Sequence, residues 1–424
     1  MIRFLFKGLI RDRHRSLFPI IIVSVGVLLT TFLYSWMSGV LNDMIDANAK
    51  FDTGHLKVET RAYNKLASQI PNDLAITGIE KLMNSLQTAY PGFDWTARIK
   101  FGGLLDVPDQ NGETKTQAPV AGFGINLLGK NSDEVKRLNI GKAIIRGHVP
   151  DKPGEILISD EFARRMGVDV NQAVTLLSTS STGGMAIQNF TISGTVEFGI
   201  TAMDRGAIIA DLSDIQYALE MPDGAGEILG FSKDMFYNSE TADKITANFN
   251  AQFLKTEDQY APIMLSLEDQ NGLREYIHYV DAVVLFIVGI FLFAMSAVLL
   301  NAGLMSGIRR YGEVGIRMAL GESKEEIYKT LIYESILIGL LGSGIGTVLG
   351  LLVSLYFQNV GIDISGQFRN STLMVSNMIR ARISFTSFYI GFIPGLLATI
   401  TGTSLSGIQI FKRQTASLFK ELET

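Results

Sequence analysis

The chain has 424 residues, of which 47% are hydrophobic and 19% charged, and its formal net charge is -5. This acidic balance argues against nucleic-acid binding, because a phosphate-binding surface needs a local excess of Lys and Arg. The absence of cysteine excludes disulfides and thiolate metal sites, and the four separated histidines lack zinc-ligand spacing, so we predict no metal or cofactor site.

The N-terminal region predicts a membrane anchor. Residues 1–16 alternate apolar and basic side chains, which predicts a cytoplasmic amphipathic leader lying on the inner leaflet. Residues 17–40 carry no charge, and a helix of roughly 20 apolar residues is long enough to cross a bilayer. Because this run is too long for the apolar part of a cleaved signal peptide, we predict a retained first transmembrane helix.

Residues 41–281 predict a large extracytoplasmic α+β domain, long enough to bury a core of its own. Short or alternating apolar runs predict strands at 55–59, 100–107, 120–125, 155–158, 173–177, 191–196 and 207–210. Helical periodicity predicts helices at 79–89, 160–166, 211–219 and 241–253. Residues 41–51 and 267–279 continue the flanking spans outward, which predicts two helical stalks.

Three further stretches are apolar and long enough to span the membrane, namely residues 282–305, 331–357 and 383–411. Lys and Arg concentrate in the leader, in the loop 306–330 and in the tail 412–424. The positive-inside rule therefore predicts that both termini and this loop are cytoplasmic. Residues 358–382 then form a short extracytoplasmic loop.

The third span carries Gly342, Gly346 and Gly350 at four-residue spacing. Small residues with this period form one flat stripe on a helix, along which another helix can approach closely. We predict a packing surface here, either for the first span or for a partner subunit.

The loop between the second and third spans contains a short amphipathic pattern. Arg310, Glu313 and Arg317 share one helical face, and the order of Glu313 and Arg317 favours an ion pair. Val314 and Met318 form an apolar edge beside them. Such a helix can dock into a groove on a soluble partner, whereas a helix that is merely solvated is the alternative.

The run from Glu313 to Gly321, EVGIRMALG, together with the four-span layout, resembles the MacB/FtsX/LolC-LolE superfamily of ABC transporter permeases. The resemblance covers nearly the whole chain. It implies that the loop is a coupling helix, through which Arg310, Glu313, Val314, Arg317 and Met318 contact a cytoplasmic ABC ATPase dimer. It also implies that the second permease of the transporter is another copy of this chain or a paralogue.

The chain departs from MacB-type proteins because it has no Walker sequence. The segment 124–130 has the G-x-x-x-x-G-K spacing, but Asn131 replaces the Ser or Thr that holds magnesium. ATP and Mg²⁺ are therefore expected on the partner ATPase. In the lipoprotein-releasing relatives, one permease carries a chaperone-grasping hook at a place comparable to the polar segment 178–189, where we predict a simple hairpin tip.

No nucleophile, acid pair or metal cluster suggests catalysis by this chain. The resemblance implies a permease of the bacterial inner membrane that extracts lipoproteins, or a similar lipid-like substrate, and passes them to a periplasmic carrier. A MacB-like efflux or peptide-export permease and an FtsX-like regulator of cell-wall hydrolases are the alternatives. A membrane receptor without any ATPase would leave the loop pattern unexplained.

Overall fold

The architecture is taken from a computed structural model, which describes residues 13–109, 111–129, 132–233, 237–254, 256–270, 272–308, 311–363 and 378–412. The chain divides into two units. The membrane unit comprises residues 1–41, 278–362 and 379–424, and the periplasmic unit comprises residues 42–277 and 363–378.

The helices are named in chain order. They are α1 (Arg13–Asn48), α2 (Arg61–Lys65), α3 (Ile79–Ala89), α4 (Glu134–Arg137), α5 (Ile140–Ala143), α6 (Asp160–Met166), α7 (Thr201–Asp204), α8 (Leu212–Ala218), α9 (Ser239–Ala251), α10 (Leu273–Ile308), α11 (Tyr311–Ala319), α12 (Lys324–Val360) and α13 (Phe392–Lys412).

The strands are also named in chain order. They are β1 (Leu56–Thr60), β2 (Ile76–Thr77), β3 (Phe93–Pro108), β4 (Thr114–Ile125), β5 (Ile144–Gly147), β6 (Glu155–Ser159), β7 (Ala173–Thr179), β8 (Met185–Val196), β9 (Ala207–Asp211), β10 (Gly224–Ala225), β11 (Glu227–Ser232), β12 (Pro262–Ser266), β13 (Ile362–Asp363) and β14 (Met378–Ile379).

Among the described residues, four helical stretches are long and apolar enough to cross a membrane. They are Leu17–Thr53, Leu273–Val298, Lys324–Val360 and Phe385–Leu405. The large α+β domain lies between the first and second of them, which confirms the predicted fold class.

The two predicted stalks differ in how they join their spans. Helix α1 continues into a π-helical turn, Ala49–Thr53, which ends at Gly54 with φ +62°. On the other side, the 3-10 turn Leu267–Asp269 is separate from α10. Gly272, with φ +71°, breaks the predicted continuous helix, because this left-handed backbone conformation cannot continue a right-handed helix.

The fourth span is also interrupted. A 3-10 turn, Phe385–Phe388, precedes α13. Pro394 is the third residue of α13, where the missing N–H costs little because the first turn of a helix has no acceptor for it. The proline thus lies near the beginning of a helix instead of kinking the middle of one.

The glycine stripe of α12 packs against α1. A Cβ added at Gly342 would lie 2.7 Å from the Val23 Cβ, and one at Gly346 would lie 2.5 Å from the Ser24 carbonyl oxygen. Ser24 Oγ donates a hydrogen bond to the Gly342 carbonyl at 3.1 Å. Of the two interpretations of the stripe, the structure therefore places it against the first span of the same chain.

This close approach gives a matched pair of variants. Gly346→Leu is expected to destabilise the membrane unit by about 1–3 kcal/mol, because overpacking forces neighbouring backbones apart. Gly344→Leu is the control, since a Cβ there has nothing within 4 Å. The free energy of unfolding in mixed detergent micelles measures both, and an equal effect of the two variants would contradict the packing assignment.

The periplasmic unit is built on a ten-stranded mixed sheet with strand order β12-β1-β11-β3-β4-β9-β6-β8-β5, with β7 pairing to β3 and β8. Along β6, Ile156 and Ile158 belong to one buried apolar cluster, whereas Leu157 belongs to a second. Because successive side chains point to opposite faces of a strand, the centre of the sheet is covered on both faces. The first and last strands of the domain, β1 and β12, are antiparallel neighbours.

The segment predicted as a hairpin tip connects β7 and β8. The turn 180–184 is closed by a hydrogen bond from the Ser180 N–H to the Gly184 carbonyl at 2.8 Å. The tip is bonded to its own domain, because the Ser181 N–H donates to the Leu219 carbonyl at 2.9 Å and Thr182 Oγ1 donates to Glu220 Oε2 at 2.9 Å. It is a short, docked turn.

Candidate functional site

The interspan loop, between the second and third spans, contains α11, which packs against the beginning of α12. Val314, 2% exposed, forms a buried cluster with Ile327 and Leu331, and Met318 packs against this cluster. Helix α12 begins with a capping box in which Ser323 Oγ accepts from the Glu326 N–H and Glu326 bonds back to Ser323. Helix α11 and the beginning of α12, which forms the third span, therefore make one packed corner.

The end of α11 is fixed by the chain itself. Gly321 has φ +93°, and the Glu322 N–H donates to the Arg317 carbonyl at 3.1 Å, as does the Gly321 N–H to the Met318 carbonyl. This pair of bonds is the Schellman arrangement that satisfies the last carbonyls of a helix. These two bonds are the physical basis for the end of the helix at Gly321.

The predicted docking residues differ in exposure. Val314 is buried against α12 and Met318 is half-buried beside it, and their predicted contacts with an ATPase stay predictions. Arg317 pairs through Nε with Glu322 Oε2 at 3.3 Å. Arg310 and the side chain of Glu313 lie outside the described residues, so their predicted contacts stay predictions.

The exposed apolar side chains of the loop are on another edge of α11. Ile316 is 51% exposed and Leu320 83% exposed, and four-residue spacing places them on one helical face. The sequence contains two apolar edges, Val314 with Met318 and Ile316 with Leu320, and periodicity alone does not tell which edge packs inward. Ile316 and Leu320 were therefore not among the predicted docking residues.

A second site lies where α1 enters the periplasmic unit. Arg98, on β3, is 1% exposed and donates through Nη1 to the carbonyls of Lys50 at 2.8 Å and Phe51 at 3.2 Å. Its Nε donates to Glu134 Oε2 at 2.9 Å. A guanidinium suits this position, because its several donors can satisfy helix-end carbonyls and a carboxylate together. We name this contact the Arg98 joint.

Further charged residues lie beside the Arg98 joint, and of these Glu227 is buried. Lys100 bonds to Asp52, and it also donates to Glu227 Oε2 at 3.1 Å. Burial opposes the charge on Lys100, but the Glu227 and Asp52 carboxylates outweigh it and raise the pKa of this lysine. Lys100 consequently stays charged at neutral pH.

The C-terminal end of the periplasmic unit is hydrogen-bonded to the π-helical turn that follows α1. The Gln270 side-chain amide donates to the Thr53 carbonyl at 3.2 Å and to the Ser266 carbonyl at 3.0 Å. Thr53 ends the π-helical turn that follows α1, and Ser266 ends β12. The two ends of the domain are therefore bonded to each other as well as paired through β1 and β12.

Four apolar spans, a large α+β domain between the first two, and a short packed helix between the middle two define a polytopic membrane protein with one extramembrane domain. The MacB-like periplasmic core domain family matches residues 16–248, and the FtsX-like permease C-terminal family matches residues 285–415. The chain belongs to the MacB/FtsX/LolC family of ABC transporter permeases.

Individual relatives match more weakly. Lipoprotein-releasing system transmembrane protein LolC of Xylella fastidiosa strain 9a5c is 26% identical over 273 residues, which cover 62% of each chain. LolC of Haemophilus influenzae is 24% identical over 258 residues, covering 58% of this chain and 60% of that protein. The chain thus spans about three fifths of the length of these curated relatives.

Two comparisons involve MacB. The macrolide export ATP-binding/permease protein MacB of Hahella chejuensis is 32% identical over 90 residues, covering 20% of this chain and 14% of that protein. The crystal structure of the periplasmic region of MacB from Actinobacillus actinomycetemcomitans aligns with a TM-score of 0.37 and 11% identity, covering 55% of this chain and 95% of that one.

Proposed function

We propose that this chain is the non-enzymatic membrane subunit of an inner-membrane transporter, with both termini and the interspan loop in the cytoplasm. A separate ABC ATPase docks on the loop, and its motion reaches the periplasmic domain. The observation that carries this proposal is the packed corner of Val314, Ile327 and Leu331. Because α11 is held against α12, a push on the exposed face of α11 displaces the third span as well.

The proposed substrate is a lipoprotein that is to be released from the inner membrane. The support is the match to LolC proteins over about three fifths of the chain, against 20% of the chain for the MacB protein. The docked tip 180–184 bonds to Leu219 and Glu220 of its own domain. We therefore assign the capture of a periplasmic carrier to a paralogous second permease instead of to this hairpin.

Depletion of the chain in its own host tests this function. Lipoproteins destined for the outer membrane are expected to accumulate in the inner-membrane fraction, and a plasmid copy is expected to restore their sorting. A plasmid copy carrying Leu320→Asp is expected not to restore it. Unchanged lipoprotein sorting would refute the proposed substrate.

A MacB-like efflux permease is the second candidate, favoured by the match of the MacB-like periplasmic core over residues 16–248. The same depletion strain distinguishes the two. Normal lipoprotein sorting together with increased sensitivity to apolar antibiotics would support efflux and exclude lipoprotein release.

A further inference from the structure

The periplasmic unit contains a cavity of about 610 Å³ beside the end of α1. This volume lies within the range of small-molecule sites, which is roughly 300–1,000 Å³. The apolar part of its wall consists mainly of Phe51, Ile70, Phe101, Phe123, Ile200 and Met203. A wall of this kind favours an apolar chain, because each buried CH₂ group contributes about 0.8 kcal/mol.

One side of the cavity is polar and carries both signs of charge. Asp52 and Lys100 line it and pair with each other. Their side chains are 40% and 19% exposed, so both are accessible to a ligand. An ammonium group has three donors, and the bonds of Lys100 Nζ within the described residues go to Asp52 and Glu227. A ligand oxygen can accept the third.

We propose that this cavity binds a single-chain amphiphile with a zwitterionic head group, with its chain against the apolar wall and its head at the Asp52–Lys100 pair. An ammonium group of the ligand complements the aspartate, and its phosphate complements the lysine. A purely anionic head would meet Asp52, and a purely cationic head would meet Lys100, so each loses part of the electrostatic attraction.

This site is separate from the interspan loop and does not require an ATPase. Lys100 keeps its charge without a ligand, because the Glu227 and Asp52 carboxylates raise its pKa. Ile200 precedes α7 and is 39% exposed. A larger side chain at this position can therefore fill the cavity with little effect on the buried core.

The natural absence of cysteine provides the test. Ala121→Cys places the single thiol at an exposed position that lines the cavity, and Gln117→Cys places it on the same strand at an exposed position outside the lining. The full chain in phosphatidylcholine nanodiscs is titrated with a short-chain lysophosphatidylethanolamine, and the rate of maleimide alkylation is measured.

At a ligand concentration about ten times the dissociation constant, alkylation of Ala121→Cys is expected to slow roughly tenfold, because the unoccupied fraction falls by that factor. Gln117→Cys is expected to be unaffected. Adding Ile200→Trp to Ala121→Cys is expected to remove the dependence on ligand. Lysophosphatidylglycerol and an alkyltrimethylammonium salt of equal chain length are expected to protect severalfold less. Absence of protection, protection at both cysteines, or equal protection by all three head groups would overturn the proposal.

Discussion

Leu320→Asp is expected to release the ATPase from the purified complex. Among the described side chains of the loop, Leu320 is the most exposed apolar one, and a central apolar contact of an interface contributes about 2 kcal/mol or more. Its replacement by a charge is therefore expected to weaken association about thirtyfold, at about 1.4 kcal/mol per factor of ten. Co-purification of the ATPase with the tagged permease, followed by titration of separated subunits, measures this loss.

Two further variants show which edge of α11 docks. Leu254→Asp makes the same substitution at a 74% exposed leucine of the periplasmic unit and is expected to leave the affinity unchanged. Arg317→Glu is expected to have a smaller effect than Leu320→Asp, because Arg317 pairs with Glu322 of its own loop. If Arg317→Glu abolished binding while Leu320→Asp did not, docking would be electrostatic and the apolar assignment would be wrong.

Arg98→Met is expected to lower the free energy of unfolding of the periplasmic unit by about 3 kcal/mol. The variant leaves the Lys50 and Phe51 carbonyls without this donor and removes one partner of the buried Glu134. Breaking a buried charge pair costs about 3–5 kcal/mol. The lower end applies because Arg137 still pairs with Glu134. Trp95 fluorescence during urea unfolding, in a Trp36→Phe background, reports the change.

The control for this variant is Lys136→Met. Lys136 pairs with Asp133 at 3.3 Å, but its side chain is 87% exposed, and exposed pairs contribute at most about 1 kcal/mol. The double variant Arg98→Met with Glu134→Leu is expected to be more stable than Arg98→Met with Glu134 intact, because it leaves fewer buried charges. A loss for Arg98→Met no larger than that for Lys136→Met would show that the Arg98 joint does not hold the π-helical turn Ala49–Thr53.

Local patterns predicted much of the fold. Helices α3 and α6 begin and end at the predicted residues, because each combines helical periodicity with a clear end signal; α6, for example, has the Ser159 cap and Gly167 in the left-handed region. The seven predicted strands all overlap observed ones. Three strands of the ten-stranded sheet were missed, β5, β11 and β12, as were the two-residue strands outside it. Strands β11 and β12 carry residues that are unusual in strands, namely Glu227 and the initial Pro262.

The functional contacts were harder to predict, since they depend on neighbours distant in sequence. Arg98 is one charged residue within a strand, and its partners Lys50 and Glu134 come from separate segments. Which edge of α11 faces inward depends on Ile327 and Leu331 of the next helix. Periodicity gives the two edges of a helix but not its rotation about its own axis, which tertiary packing decides.

The pairing of β1 with β12 determines how the domain yields under load. Strand β1 begins at Leu56 and β12 ends at Ser266, so both connections leave the strand pair at the same end. Antiparallel hydrogen bonds run perpendicular to the strands. Pulling the two connections apart would therefore break these bonds one after another instead of all together, which requires less force. Gln270, bonded to Thr53 and Ser266, lies at the end of the pair where separation would begin, so its hydrogen bonds would have to break first.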